Sequence, residues 1–408
     1  MDPNQRPKNY EFKLIVVFFI TWGVVFLDRM SPLYLAPFLV KDLHFDNTEI
    51  GLIGSALSVG WGLSAVLFGS LADKVGRRPV LLPSIFILSA LSWVTGLARN
   101  FGQMFGIRFL MGASEGVPAN LLLAVVEEES PAKHRGRNVG IVQSAAGLVG
   151  LAVAPVLVTQ IAARFGWQDA FYLIAIPGII MGLIMVRFVR EPAKHAQALA
   201  KKQKLDYASV LRERNIWLII LSCAGFVTWL MVTSAFAPVY LTEVDKFSPT
   251  EMGWVMSALG LSGFLWGFGV PWISDRIGRK PALIIFGLAS AIVPLSLLFV
   301  SNALGLAAIG LILAAGQGLA PLVTVVVPAE SVKPELVATG VGLSLMVGEL
   351  LGGTLMPSVA GALADKWGLS VPMLIASGGA LVVVVLAIFL KETAPRFAAR
   401  HDAEEAAA

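Results

Sequence analysis

The chain has 408 residues, 56% of them hydrophobic and 14% charged, with a formal net charge of +4 and a mean hydropathy of +0.77. A soluble domain carries about 25% charged residues, so this composition excludes a soluble globular protein and makes a lipid bilayer the solvent of the chain. The single cysteine, Cys223, excludes an internal disulfide framework and cysteine-based metal clusters, and reads as a small packed residue in an apolar run.

Apolar runs long enough to span a bilayer as a helix, about 20 residues each, fall at 12–38, 49–71, 80–98, 101–126, 138–162, 168–189, 215–241, 250–273, 281–300, 303–327, 336–363 and 369–390, twelve in all. Helices are expected, because an open strand leaves backbone groups unpaired in lipid. A β-barrel would need ten-residue alternating segments, which are absent. The first run is too long for a cleavable signal peptide and continues into a charged pair. The chain has no Asn-x-Ser/Thr sequon, which favours a bacterial source.

Span 1, LIVVFFITWGVVFLDRMSPLYLAPFLV (14–40), carries Asp28 and Arg29 side by side near its middle. Each costs about 2.5–3.5 kcal/mol at the centre of a bilayer helix, so a functional reason is expected. Span 2 runs into GSLADKVGRR (69–78). Gly69 permits close helix approach, Asp73 stands where the helix leaves the membrane, Gly76 supplies a tight turn, and Arg77 and Arg78 stay in the aqueous loop.

Span 4 reads RFLMGASEGVPAN (108–120). Arg108 and Glu115 lie seven residues apart, which places them on one helix face about 10 Å apart along the axis. Gly112 and Gly116 follow Arg108 at steps of four, a pattern that lets a helix pack closely on a partner. GASEG (112–116) matches the Gly-x-Ser-x-Gly nucleophile pattern, but that pattern needs a strand-to-helix elbow and a partner base. Here it lies in a spanning helix, and histidines 44, 134, 195 and 401 all fall in loops or the tail. An enzyme is therefore not expected, and carboxylates must do any proton work. Glu127, Glu128 and Glu129 end span 4 and read as solvated or as part of a cytoplasmic latch.

Span 5, GLVGLAVAPVLVT (147–159), has Pro155 without a following glycine pair. The segment 191–214 is polar and basic and reads as a cytoplasmic linker with some amphipathic helix; a regulatory or lipid-contacting role is the alternative. In the second half, Glu349 sits in VGELLGG. Three readings stay open for it: a second coupling acid, an acceptor for a substrate hydroxyl, or a packed protonated acid. Tyr34, Asn120, Gln143, Thr228, Thr233, Ser234, Gln317 and Ser344 are the other polar candidates for lining a cavity, each with an interhelical hydrogen bond as its alternative. Gln143 and Gln317 rank first, since an amide both donates and accepts.

The chain repeats itself. TEIGLIGSALSVGWG (48–62) matches TEMGWVMSALGLSGF (250–264), and LADKVGRR (71–78) matches ISDRIGRK (273–280), both at an offset of 202 residues. Parallel repeats of this kind place a substrate path between halves near mid-membrane. Assigning the N-terminus and every even-numbered connection to one side places 24 of the 31 Lys and Arg residues there, with five opposite and two, Arg29 and Arg108, inside spans. The positive-inside rule then puts both termini in the cytoplasm.

The GSLADKVGRR signature after span 2, its copy after span 8, the twelve spans and the long central segment together resemble the major facilitator superfamily. The resemblance implies an all-α membrane protein of twelve helices in two pseudo-symmetric six-helix halves, residues 1–190 and 215–408, joined by the linker 191–214. It assigns Asp73 and Arg77, with Asp275 and Arg279 in the second copy, to a cytoplasmic gate. Pro271 replaces the leading glycine of the second copy, which predicts a weaker latch there.

The Asp28–Arg29 pair with Arg108 and Glu115 further resembles the anion:cation symporter branch, which includes sialin and bacterial galactonate and hexuronate transporters. That resemblance makes Asp28 and Glu115 proton-coupling acids and directs Arg29 and Arg108 to the substrate carboxylate. Two features depart from the branch: the loop after span 4 reads ESPAKHRGR (129–137), and Glu349 has no counterpart in its pattern. Physical reasoning agrees on the coupling. Low dielectric favours the neutral form of a carboxylic acid, and a neighbouring guanidinium favours the ionised form. A substrate anion that engages the guanidinium then makes proton uptake easier, and the two bindings favour each other. A permanent ion pair locking two helices is the alternative reading of the same charges.

The expected protein is thus a proton-coupled symporter taking up a small organic anion, such as a sugar acid or another carboxylate, by alternating access. The expected coupling ion is the proton, with no other cofactor and no metal. The expected partners are the anion, protons and the bilayer, with no nucleic acid, and the expected state is a monomer in a bacterial inner membrane. The alternative is a proton-coupled antiporter exporting drugs or other hydrophobic compounds.

Overall fold

The computed structural model describes residues 10–131, 134–191, 207–333, 336–394 and 396, apart from the side chains of 65–67, 69, 70, 73, 120, 207, 208 and 338. Among these residues there are helices and no strand. The twelve long helices are α1 (Tyr10–Tyr34), α2 (Asn47–Val75), α3 (Arg78–Thr95), α4 (Phe101–Glu129), α5 (Arg135–Phe165), α6 (Trp167–Phe188), α7 (Arg214–Glu243), α8 (Pro249–Ile277), α9 (Arg279–Ser296), α10 (Ala303–Glu330), α11 (Thr339–Trp367) and α12 (Ser370–Phe389). Eleven of them are long and apolar enough to cross a membrane, and α2 is 29 residues long. On α6 the apolar Leu173, Ile176, Ile180 and Leu183 are exposed along one stripe. In water such a stripe invites association; in a multi-pass membrane protein it meets lipid.

Local chemistry sets the helix ends. Asn100 caps α4 by accepting from the Gln103 backbone N–H at 2.9 Å. Ser248 and Glu251 form a reciprocal capping box at the start of α8. Between α2 and α3, Gly76 takes φ +103, and between α8 and α9, Gly278 takes φ +102. Both are left-handed turns that a side chain would strain, and they stand at equivalent positions of the repeat.

Among the described residues, three helices contain a widened π-helical turn: Ala146–Val153 in α5, Leu322–Val326 in α10 and Glu349–Leu355 in α11. Each is followed two residues later by a proline, Pro155, Pro328 or Pro357. A proline has no N–H for the carbonyl four residues back and crowds it, so a widened turn just before it is the natural accommodation. Pro155 and Pro357 again lie 202 residues apart.

Contact clustering divides the chain into two units: Met1–Phe45 with Ala56–Gln203, and Asp46–Ser55 with Lys204–Ala408. In the first, Phe18 of α1, Leu81 of α3, Met111 of α4 and Val142 of α5 are buried in one core. Here α2 and α4 touch through glycines. A Cβ on Gly60 would overlap the Phe109 carbonyl, and one on Gly112 would overlap the Leu57 carbonyl. In the second unit α7 is central and packs along α11 and α12. The division differs from the sequence-based one at Asp46–Ser55. The reason is Asp365 of α11, whose carboxylate accepts the backbone N–H groups of Asn47 at 3.0 Å and Thr48 at 2.9 Å and so holds the first turn of α2.

Candidate functional site

The four charges singled out in spans 1 and 4 come together in the first unit. Asp28 is 2% exposed, Arg29 5%, Arg108 1% and Glu115 0%. Asp28 is held from α3, where the Ser92 hydroxyl donates to its Oδ1 at 3.0 Å. Arg108 reaches from α4 to the backbone of α1: its Nη2 donates to the carbonyls of Arg29 at 3.1 Å and Asp28 at 3.4 Å, and its Nη1 approaches Met111 Sδ at 3.1 Å. Glu115, Asp28 and Arg29 are charged neighbours of Arg108. Neither oxygen of Glu115 accepts a hydrogen bond from a described residue.

Arg29 lies in an aromatic surround. Its guanidinium carbon stands 4.1 Å from the ring centroid of Trp61 and 5.7 Å from that of Phe26. Trp22 packs on Phe26 edge-on at 5.1 Å and lies 6.2 Å from Trp61. A guanidinium over an indole is stabilised by the ring quadrupole and keeps its planar fork oriented. Such a fork fits a carboxylate.

The remaining candidates are more dispersed. Tyr34 is buried, and its hydroxyl makes a long contact, 3.5 Å, to the Gly150 carbonyl in the π turn of α5. Gln143 is exposed on α5. Gln317 and Glu349 belong to the second unit. Gln317 is half-buried with Gly263 against its stem, and its Nε2 finds no acceptor among the described residues. Glu349 is half-buried at the first position of the α11 π turn, electrostatically close to Cys223 of α7.

The repeated signatures build two matching ion networks, one in each unit. In the first, Arg77 Nη2 meets Glu128 Oε1 at 2.6 Å, and the Glu191 carboxylate accepts the backbone N–H groups of Arg77 at 2.7 Å and Arg78 at 2.8 Å. In the second, Arg279 meets Asp275 at 2.6 Å and forks onto both oxygens of Glu330 at 2.9 and 3.2 Å. There Glu392 accepts the N–H groups of Arg279 at 2.8 Å and Lys280 at 3.1 Å. Pro271 does not prevent this second network. The side chains of Asp73 and Asn120 lie outside the described residues.

Sequence reasoning missed Ser92, Glu191, Glu330 and Glu392. The last three carried a signal: Glu128 and Glu330 differ by the same 202 residues as the repeat, and Glu191 and Glu392 by 201. Ser92 carried none, because a serine in a spanning helix reads equally as packing.

The family model described as Major Facilitator Superfamily matches residues 17–350 and 246–407. The chain is 24% identical to the sialic acid transporter NanX of Escherichia coli (strain K12), over 91% of this chain and 92% of that protein. It is 26% identical to the hexuronate transporter of Bacillus subtilis (strain 168), over 66% of this chain and 67% of that one. It is 25% identical to the cis,cis-muconate transport protein of Acinetobacter baylyi (strain ATCC 33305 / BD413 / ADP1), over 95% and 97%. Among solved structures, the nucleoside transporter NupG superposes with a TM-score of 0.77 at 16% identity, covering 94% of this chain and 99% of that one, which is a likeness of fold.

Proposed function

The chain belongs to the Major Facilitator Superfamily and is a membrane transporter, not an enzyme; from that premise we propose that it takes up a small organic anion, a sugar acid or another carboxylate, together with protons. The observation that carries this reading is the buried first-unit cluster of Asp28, Arg29, Arg108 and Glu115. Two acids and two arginines at membrane depth are costly in a merely structural role. The relatives named for hexuronate, sialic acid and cis,cis-muconate all take carboxylic acids.

The Arg29 fork, oriented by Trp61, engages the substrate carboxylate. Glu115, with no donor on either oxygen among the described residues, carries a proton, and Asp28 is its partner in coupling. Substrate anion and proton then bind more tightly together than apart, the linkage a symporter needs. Tyr34, Gln143 and Gln317 are the polar candidates for the rest of the substrate, and Glu349 is a further candidate acid. The Arg77 and Arg279 networks, with Asp73 and Asp275, are assigned to the cytoplasmic gate that opens and closes as the halves alternate. With both termini cytoplasmic, the chain works as a monomer in a bacterial inner membrane, with the proton as its coupling ion.

The test is transport in proteoliposomes. Under an inward proton gradient they are expected to accumulate hexuronate, sialic acid or cis,cis-muconate above equilibrium, and to lose that accumulation when a protonophore collapses the gradient. If none of a broad panel of carboxylates accumulates and a cationic dye is expelled instead, the exporter reading replaces this one.

A further inference from the structure

Trp22, Phe26 and Arg29 follow one another on α1 at steps of four and three, which puts them on one face of that helix. Trp61 of α2 lies against the same face: its ring stands 6.2 Å from that of Trp22 and carries the Arg29 guanidinium at 4.1 Å. All four side chains belong to the first unit. Trp22 is buried, while Phe26 and Trp61 are half-buried. Trp22 Nε1 finds no acceptor among the described residues, although the N–H of a buried tryptophan usually has one.

A carboxylate held by both prongs of a guanidinium lies in the guanidinium plane. The Arg29 guanidinium lies over the Trp61 indole, so whatever is attached to that carboxylate meets aromatic rings next. A conjugated substituent, either a benzene ring or a chain of double bonds, shares the carboxylate plane. It continues the flat layer and offers its faces and edges to Trp61 and Phe26. A sugar acid instead has a tetrahedral, hydroxyl-bearing carbon next to its carboxylate. That carbon turns its substituents out of the plane toward ring faces, which are poor hydrogen-bond partners, and a buried hydroxyl without a partner is costly.

We propose that the substrate is a planar, conjugated carboxylate, aromatic or unsaturated and poor in hydroxyls. Its carboxylate sits on the Arg29 fork and its plane runs along Trp61. Where it has a further acceptor atom, that atom takes the Trp22 N–H. The proposal names the substrate class of the uptake reading above and rests on that reading for the role of Arg29.

The test is titration calorimetry on the full-length protein in detergent at neutral pH, with four anions: benzoate, sorbate, cyclohexanecarboxylate and galacturonate. Benzoate and sorbate are expected to bind about tenfold more tightly than the other two, the scale of one aromatic contact. Cyclohexanecarboxylate is apolar but not flat, so it separates the ring layer from simple hydrophobicity and from uptake into micelles. Trp61→Leu keeps apolar bulk without a ring and is expected to bring benzoate to within about threefold of cyclohexanecarboxylate; Trp61→Phe is expected to keep the preference. A native protein that binds galacturonate or cyclohexanecarboxylate as tightly as benzoate overturns the inference and leaves anion uptake standing. A preference that survives Trp61→Leu unchanged also overturns it. If the Trp61 variants do not fold, the ranking of the four anions on the native protein decides. If none of the four binds, the inference is overturned, and carboxylate accumulation in proteoliposomes decides separately whether the uptake reading stands.

Discussion

The Ser92 hydroxyl on α3 donates to Asp28 Oδ1 on α1 at 3.0 Å, with Ser92 itself fully buried. A hydrogen bond to a charged group contributes about 1.5–3 kcal/mol. Ser92→Ala is therefore expected to reduce proton-driven uptake by roughly tenfold or more at saturating substrate, and to displace the pH dependence of uptake. Ser92→Thr, which keeps the hydroxyl, is expected to retain most of the activity. Uptake and its pH profile that are the same for Ser92→Ala as for the native protein would remove Ser92 from the site.

Glu115 and Arg29 separate coupling from binding. Glu115→Gln cannot exchange a proton but keeps size and polarity, so accumulation against a gradient is expected to vanish while counterflow of substrate continues. Arg29→Ala loses the fork over Trp61 and is expected to weaken substrate affinity by tenfold or more, the scale of a charge-assisted bidentate contact at roughly 1.5–3 kcal/mol. Calorimetry or a ligand-induced thermal shift measures this directly. Unchanged affinity in Arg29→Ala takes Arg29 out of the site.

The α2–α4 contact tolerates no added carbon. Gly60 faces the Phe109 carbonyl and Gly112 faces the Leu57 carbonyl, in each case too closely for a Cβ. Each glycine-to-alanine change forces the two backbones apart and is expected to cost about 1–3 kcal/mol as an overpacking defect. Because both changes separate the same helix pair, the double variant is expected to cost less than the sum of the singles. Melting curves of the three variants decide; strict additivity would mean that the two contacts relax independently.

Glu330 accepts a two-pronged contact from Arg279 and a hydroxyl from Thr393 at 2.7 Å. Forked charge-assisted contacts contribute more than a single neutral hydrogen bond. Glu330→Gln is thus expected to lower the melting temperature by more than Thr393→Val, which removes only the hydroxyl. Equal shifts would show that the fork from Arg279 adds nothing.

Much of this protein was legible in the linear order of residues. Spanning length depends on a contiguous apolar run, so the long helices followed from local composition; the repeat showed in one offset. Asp28, Arg29, Arg108 and Glu115 stood out because charge is rare in lipid. The partners of those charges were not legible. The prolines at 155, 328 and 357 were visible, but not that each follows a widened turn, since the accommodation depends on the packing of the helix around it. Gly112 and Gly116 announced a close approach without naming Leu57 and Trp61 of α2 as what they approach.

Sequence alone determined that the chain lives in a membrane, where its long apolar helices run, where it repeats and which residues carry buried charge. Each of these is set by chemistry that acts along a short stretch of chain. Only the tertiary structure decided that Arg108 turns to the carbonyls of α1, that Ser92 holds Asp28, and that Glu191 and Glu392 receive the first N–H groups after the two signature turns. Those choices depend on side-chain direction across helices far apart in sequence, where a rotation of one helix by a single residue, about 100°, would exchange one partner for another.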